Sequence, residues 1–129
     1  MKNLQFGSVI VGSEFPPLIV AELCNNMRGS LEVAKEMVRQ ASAVGCEMVK
    51  GQLRFQKGRL SSRDHGDLME LCSQLGILYG CTAFDERGAD TLAEMKVPAI
   101  KVGSGEGTNL DFLRYVARKR IPMMVSTGG

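Results

Sequence analysis

The chain has 129 residues and a mass of 14.0 kDa, which is the size of about one ordinary domain. Hydrophobic residues make up 44% and charged residues 23% of it, a composition typical of folded globular proteins and not of disordered ones. The net charge of +2, from 16 Lys and Arg against 14 Asp and Glu, gives no basic excess of the kind that predicts nucleic acid binding.

The sequence also lacks the features of membrane and secreted proteins. No run approaches the roughly 20 apolar residues that a membrane-spanning helix needs, and the N-terminus lacks the pattern of a signal peptide. The four cysteines, Cys24, Cys46, Cys72 and Cys81, form no C-x-x-C pair and no zinc-type spacing. We therefore expect a reduced, cytoplasmic protein that binds neither nucleic acid nor a membrane.

The first predicted element is a small hairpin. The segment LQFGSVIVGSEF is typical of two short strands around Gly7 and Gly12. We expect this hairpin to plug one end of the main sheet. Residues 1–17 are accordingly predicted to form an N-terminal hairpin segment, and residues 18–129 the remaining domain.

The rest of the chain alternates short apolar runs with helical patterns. The runs are residues 18–23, 47–52, 77–84, 99–103 and 122–126. Four segments between them have apolar residues at helical spacing. Ser30 is predicted to cap the first helix and Gly45 to end it, Asp85 to cap the third, and Thr108 with Asp111 to form a capping box before the fourth.

Such alternation predicts an α/β fold with a parallel sheet and right-handed crossovers. Two architectures are compatible with it, an open doubly wound sheet and part of a (β/α)₈ barrel. Both place ligand chemistry at the carboxyl ends of the strands.

Each predicted strand ends in polar residues that an ordinary core would exclude. Because side chains alternate along a strand, Lys50 and Gln52 share one face, and Lys101 lies opposite in parity to its apolar neighbours. Buried lysine is rare unless it is paired or bound to an anion. The polar set predicts a pocket for a ligand with phosphate and carboxylate groups, and comprises Glu22, Lys50, Gln52, Thr82, Lys101, Ser104, Glu106 and Ser126.

The competing interpretation is that Lys50 and Lys101 form ordinary ion pairs with Glu22 and Glu106. For a single residue that interpretation is the better one. Five strands that all end in this way favour a binding site.

Two other motifs carry less information. The segment Gly103 to Gly107 resembles a dinucleotide loop, but residue 108 is Thr and the segment follows the fourth strand, which excludes a Rossmann site. His65, the one histidine, lies in the polar stretch SSRDHGD and is predicted to be a solvated loop or capping residue rather than a catalytic one. With one histidine and no clustered carboxylates, the chain offers no complete transition-metal site.

At the strand ends the sequence resembles the sialic acid synthase (N-acetylneuraminate synthase) family. PLIVAELCNNMRGSLEVAKEMV is similar to the first βα unit of that family. VKGQ, CTAFDE, VPAIKVGSGEGTNLDFLRYVA and PMMVSTGG are similar, in order, to its second to fifth strand ends. The resemblance covers nearly the whole chain from Phe15 onward. It implies the first half of a (β/α)₈ (TIM) barrel, with five strands, four helices and an N-terminal hairpin.

The resemblance also implies a reaction. In this family phosphoenolpyruvate condenses with an N-acyl-mannosamine-type sugar to give a nine-carbon sialic acid and phosphate. The enol carbon attacks the open-chain aldehyde, which a bound Mn²⁺ or Mg²⁺ polarises. Water then captures the cationic carbon, and phosphate leaves.

By motif position, the resemblance assigns the catalytic roles to Glu22 and Lys101. Glu22 and Glu106 would contact the sugar or manage protons near the new bond. Phosphoenolpyruvate is already an activated enol, so Lys101 need not act as a Schiff-base nucleophile. The residues expected to bind substrate are Lys50, Gln52, Thr82, Ser104, Glu106 and Ser126.

The chain departs from the family pattern in several places. Cys24 to Gly29 reads C-N-N-M-R-G where the family has G-x-N-H-x-G, Gly51 replaces an aromatic residue, and Ala83 replaces a frequent proline. The loop over residues 53–63 is shorter than in the family. The metal-binding histidines and the antifreeze-like domain belong to parts of the family outside these 129 residues, so no metal ligand is assigned here.

We therefore expect the 129-residue chain alone to be inactive or nearly so. Two other functions remain open. One is a Schiff-base aldolase that uses Lys101. The other is a non-catalytic half-barrel that binds an anion or a partner, in which unpaired edge strands would favour self-association or pairing with a complementing half-barrel.

Overall fold

The computed structural model describes residues 3–128, and its first element is the predicted hairpin. Strand β1 (Leu4–Phe6) pairs antiparallel with β2 (Val9–Val11), with Leu4 opposite Val11. The turn between them contains Gly7, whose φ of +55° favours a residue without a Cβ atom. The hairpin is a separate two-stranded sheet, as the sequence predicted.

The main sheet has five parallel strands in sequence order. They are β3 (Val20–Glu22), β4 (Met48–Gln52), β5 (Leu78–Ala83), β6 (Ile100–Val102) and β7 (Met123–Val125). A helix follows each of the first four of these strands. The helices are α1 (Leu31–Ala43), α2 (Ser62–Gln74), α3 (Glu86–Glu94) and α4 (Leu110–Ala117). The strand order never reverses, as it would in a doubly wound sheet. The fold is therefore half of a (β/α)₈ barrel, with its hairpin, as expected.

Local sequence signals set most of the helix ends. Ser30 Oγ accepts from the Val33 N–H at 3.3 Å, and Asp85 Oδ1 accepts from the Gly88 N–H at 2.6 Å, so both predicted caps are confirmed. Gly45, with φ +89°, follows the end of α1 as predicted.

The predicted cap of α4 was wrong. The helix begins at Leu110, so its N-cap is Asn109, whose Oδ1 accepts from the Phe112 N–H at 3.1 Å. Thr108 lies one residue too early to reach the same amide, and Asp111 instead forms an ion pair with Arg114 at 3.0 Å.

This difference gives a direct prediction for Asn109→Ala. The substitution leaves an amide in the first turn of α4 without its acceptor and should lower the free energy of unfolding by about 1 kcal/mol. Thr108→Ala is the matched control and should change it by less than about 0.5 kcal/mol. Urea unfolding followed by circular dichroism measures both. Equal losses in the two variants would contradict the assignment of the cap.

The helices lie on one face of the sheet. α1 and α2 are the longest at 13 residues each, and no helix in residues 3–128 is long and apolar enough to cross a membrane. Across the last two helices, the Tyr115 hydroxyl contacts both carboxylate oxygens of Asp90 at 2.9 Å, and Lys119 forms an ion pair with Asp90. This cluster joins α3 to the end of α4.

Two apolar clusters lie on opposite faces of the sheet. The larger fills the space between the strands and the helices and includes Val38, Val49, Leu68, Leu92, Ile100 and Val116, all fully buried or nearly so. The smaller joins Phe6 of the hairpin to Met48 and Ala99 on the inner face. The hairpin therefore covers the apolar lower end of the inner face, as predicted, and leaves the carboxyl ends of the strands to polar residues.

Candidate substrate-binding site

The strand register brings five of the predicted site residues together. Glu22 of β3 lies beside Lys50 of β4, Gln52 lies beside Thr82 of β5, and Thr82 lies beside Lys101 of β6. All five have the same parity, opposite to that of the apolar residues that face the helices. The period-two pattern in the sequence was therefore enough to place these side chains on the inner face.

Lys50 is the centre of this group. It is 7% exposed, it forms an ion pair with Glu22, and its Nζ donates to Thr82 Oγ1 at 3.1 Å. The other carboxylate oxygen of Glu22 accepts from the Cys24 N–H at 2.8 Å. The predicted pair between Lys50 and Glu22 is thus present, and it holds a nearly buried ammonium group in a fixed place.

Lys101 behaves differently from Lys50. It forms no ion pair among the described residues, and the predicted partner Glu106 instead accepts from Asn109 Nδ2 at 3.2 Å. Burial lowers the pKa of Lys101, the neighbouring Lys50 ammonium lowers it further, and Glu22 opposes the shift. Among the described residues Glu22 pairs with Lys50 and no carboxylate pairs with Lys101, so the two lysines leave an excess of positive charge, which is the electrostatic condition for an anion site.

The remaining predicted residues lie in loops beyond β6 and β7. Ser104 and Glu106 belong to one 3₁₀ turn (Ser104–Glu106), and the Ser126 N–H donates to the Val102 carbonyl at 3.1 Å. They lie at the same edge of the sheet as the lysines. In the described part of the chain their side chains form no hydrogen bond to Lys50 or Lys101.

Cys24 is a site residue that the sequence did not single out by itself. Its φ of +51° lies in the left-handed region, which costs a residue other than glycine about 1 kcal/mol. Its Sγ accepts from Gln52 Nε2 at 3.4 Å, and its N–H contacts Glu22. The available signal was its position where the family has glycine.

His65 was predicted to lie in a solvated loop, and that prediction was wrong. Ser61 and Asp64 form a reciprocal capping box, which starts α2 at Ser62 and places His65 in the first turn. The side chain is 1% exposed, and its Nδ1 lies 2.5 Å from the Tyr79 hydroxyl of β5. Burial lowers the pKa of His65 to about 4, although the Asp64 carboxylate opposes the shift.

Two cation–π contacts fix the short loop that follows β4. The Arg54 guanidinium lies 3.4 Å from the centroid of the Phe84 ring, and Arg87 of α3 lies 3.8 Å from the centroid of the Phe55 ring. In the first contact the β4–α2 loop supplies the cation, and in the second it supplies the aromatic ring. The two contacts join the β4–α2 loop to the residues around the start of α3.

The described residues do not form a metal centre for the Mn²⁺ or Mg²⁺ that the resemblance implies. In residues 3–128 no three His, Cys, Asp or Glu side chains converge closely enough to hold an ion. Glu22 is already paired with Lys50, and burial raises the pKa of the Cys72 and Cys81 thiols to about 12, which keeps them protonated. The described residues therefore do not fit the metal that the resemblance implies.

The half-barrel has two lysines at the carboxyl ends of its strands, the face at which (β/α)₈ barrels bind their ligands. The class of the protein is therefore that of the (β/α)₈ barrels, with its candidate site at the usual face. The chain belongs to the NeuB family, whose model matches residues 53–129. The resemblance to sialic acid synthases drawn from the strand ends is thereby confirmed.

The chain is similar to two proteins named as synthases and to one spore coat polysaccharide biosynthesis protein. The chain is 34% identical to the N,N'-diacetyllegionaminic acid synthase of Legionella pneumophila over 91% of its length, and 30% identical to the human N-acetylneuraminate-9-phosphate synthase over 92%. It superposes on the spore coat polysaccharide biosynthesis protein SpsE of Bacillus subtilis with a TM-score of 0.91 over 99% of its length, at 28% identity. It spans 41%, 41% and 40% of those three proteins, respectively.

Proposed function

We propose that this chain supplies the phosphoenolpyruvate-binding part of a synthase that makes a nine-carbon sialic acid from an N-acyl-mannosamine-type sugar. The observation that supports this function most strongly is the row of Lys50, Gln52, Thr82 and Lys101 on one face of the strand ends. A ligand with both a phosphate and a carboxylate matches two ammonium groups of which, among the described residues, Lys50 alone is paired with a carboxylate. The membership of the NeuB family supports the same reaction class.

In the proposed reaction, the C3 carbon of phosphoenolpyruvate forms a bond to the aldehyde carbon of the sugar, whose oxygen takes up a proton. Water adds to the resulting cationic C2 and loses one proton, which balances the proton taken up by the sugar oxygen. The C–O bond to phosphate then breaks, and the remaining hydroxyl proton passes to the departing inorganic phosphate as the 2-keto group forms. Lys50 and Lys101 would hold the phosphate and carboxylate throughout, since ionised donors make the stronger hydrogen bonds. Glu22, beside Lys50, would take or return a proton.

The Lys50 environment also explains how the ligand would be oriented. Thr82 Oγ1 and Glu22 fix the ammonium group from two sides, so one direction remains for an incoming anion. Gln52, one row nearer the strand ends, adds an amide that Cys24 already orients. Such pre-positioned donors lower the cost of ordering the ligand.

The first experiment measures phosphoenolpyruvate binding to the 129-residue chain by isothermal titration calorimetry. We expect saturable binding that weakens with salt, because the contacts are ionic, and no phosphate release when N-acetylmannosamine and Mn²⁺ are added. Absence of binding would refute the proposed function. Phosphate release at ordinary enzyme rates would refute the expectation that the 129-residue chain alone is inactive or nearly so.

We also propose that the partner of this chain is a complementing part of the barrel. In the described sheet β3 and β7 each pair on one side, so their outer edges present unpaired backbone groups. Phosphate release should appear when the remaining strands of a NeuB-family barrel are added in trans. Association of the chain only with itself in light scattering would favour self-association instead.

One observation favours a second candidate, an aldolase that forms a Schiff base on Lys101. Burial and Lys50 lower the pKa of Lys101, which raises the fraction of neutral amine. Borohydride reduction in the presence of pyruvate would add a stable mass to Lys101 if this chemistry occurred. An unmodified Lys101 at saturating pyruvate would exclude it and leave the synthase function.

A further inference from the structure

The outer face of β4 has a close contact directly behind the proposed ligand site. Gly51 lies between Lys50 and Gln52 and points toward the helices, where it pairs with Cys81 of β5. A Cβ atom at Gly51 would collide with the Tyr79 hydroxyl and would lie 3.2 Å from His65 Cε1. Tyr79 and His65 fill the space beside Gly51 on the helix side of the sheet.

Neither of these two side chains is free to move away. Tyr79 is 2% exposed and His65 is 1% exposed, and both lie between the sheet and α2. The Tyr79 hydroxyl forms a hydrogen bond with His65 Nδ1 at 2.5 Å, and Cys81 Sγ lies 3.8 Å from the same nitrogen. The hydroxyl is therefore held in place by a buried hydrogen bond, unlike the end of a flexible surface side chain.

We infer that the buried Tyr79–His65 pair positions β4, and through it the two ligand-binding side chains Lys50 and Gln52. These residues act as positioning residues, because neither faces the inner side of the sheet where the ligand is proposed to bind. Strand β4 contacts the Tyr79–His65 pair at Gly51, its only residue without a side chain. A shift of β4 at Gly51 moves its two neighbours, which project to the opposite face.

The inference rests on the proposed function for its ligand, and Gly51→Ala tests it. The added methyl group must displace either the buried hydroxyl or the strand, so we expect the Kd for phosphoenolpyruvate to rise about tenfold, equivalent to about 1.4 kcal/mol. Tyr79→Phe removes the colliding oxygen. The double variant Gly51→Ala/Tyr79→Phe should therefore bind within about threefold of Tyr79→Phe alone, a change of under about 0.7 kcal/mol.

Gly66→Ala is the matched control. Gly66 lies in α2 next to His65, and a Cβ atom there meets no other atom within 4 Å. The Kd of this variant should equal that of the wild type. A Gly51→Ala protein that stays folded and binds phosphoenolpyruvate as the wild type does would overturn the inference, as would a double variant with no recovery.

Two further measurements keep the test decisive. If Gly51→Ala does not fold, the double variant must fold and bind like Tyr79→Phe, and failure to do so overturns the inference. If the wild type does not bind phosphoenolpyruvate, the proposed function fails, but the NMR resonances of the Lys50 ammonium and the Gln52 amide still report on positioning. They should shift in Gly51→Ala, recover in the double variant relative to Tyr79→Phe, and stay unchanged in Gly66→Ala. Unchanged resonances in Gly51→Ala would overturn the inference.

Discussion

Replacement of Lys50 by methionine should weaken phosphoenolpyruvate binding by about 100-fold, the largest effect expected for a single side chain of the site. A hydrogen bond to a charged group contributes about 1.5–3 kcal/mol, and about 2.7 kcal/mol corresponds to a factor of 100 in Kd. Lys50 forms the ion pair with Glu22 and donates to Thr82, so its removal eliminates the best-fixed cation of the row.

The free energy of unfolding should fall only slightly. Removal of one partner of an ion pair is destabilising when the other is left buried, but Glu22 is 44% exposed and can be hydrated, so we expect a loss of no more than about 1 kcal/mol. Calorimetric titration gives the affinity and urea unfolding gives the stability. Lys35→Met, which removes a lysine of the exposed pair with Glu32 on α1, is the control and should alter neither. Retention of wild-type affinity by Lys50→Met would exclude Lys50 from the site.

The second large effect concerns acid stability. The pKa of His65 falls to about 4 in the folded chain because burial disfavours the imidazolium, whereas an unfolded histidine has its ordinary value of 6.5. Between these two values the unfolded state binds more protons, so the free energy of unfolding must rise with pH. The contribution of His65 is complete above pH 6.5 and is lost as the pH falls toward 4, at a total of about 3 kcal/mol.

His65→Gln should remove this pH dependence, since the amide stays neutral and its oxygen can accept from the Tyr79 hydroxyl. Urea unfolding at several pH values between 4.5 and 7.5 measures the slope. Asp64, whose pKa is lowered by hydrogen bonds from Ser61, also loses stabilising contacts in acid, but mainly below its ordinary value of 3.8. Asp64→Asn should therefore keep the slope above pH 4.5. A slope that persists unchanged in His65→Gln would contradict the burial of a neutral imidazole.

The sequence predicted the features that depend on neighbouring residues and on simple periodicity. The order of strands and helices followed from the spacing of apolar residues, and the common face of Lys50, Gln52 and Lys101 followed from alternation along a strand. The caps at Ser30 and Asp85 were readable because each directly precedes an apolar helical pattern.

The features that the sequence did not predict depend on contacts between distant residues. The S-x-x-D signal of Ser61 and Asp64 lies in a polar stretch, and such a stretch predicts a loop where the structure has the first turn of α2. The burial of His65 requires the space beside Gly51 and the hydroxyl of Tyr79, which belong to two strands. Pattern alone could not show that Lys101, unlike Lys50, has no carboxylate partner within residues 3–128.

One edge strand of the sheet, β3, carries Glu22, and the other, β7, ends directly before Ser126, so pairing at either edge would occur next to the proposed site. A strand added next to β3 would lie beside Glu22, and one added next to β7 would lie beside Met124 and the approach to Ser126. In the proposed function, a strand that docks at β3 would displace water from Glu22, which is partly exposed beside Lys50. Pairing at this edge and a change in the surroundings of the proposed anion site would therefore occur together.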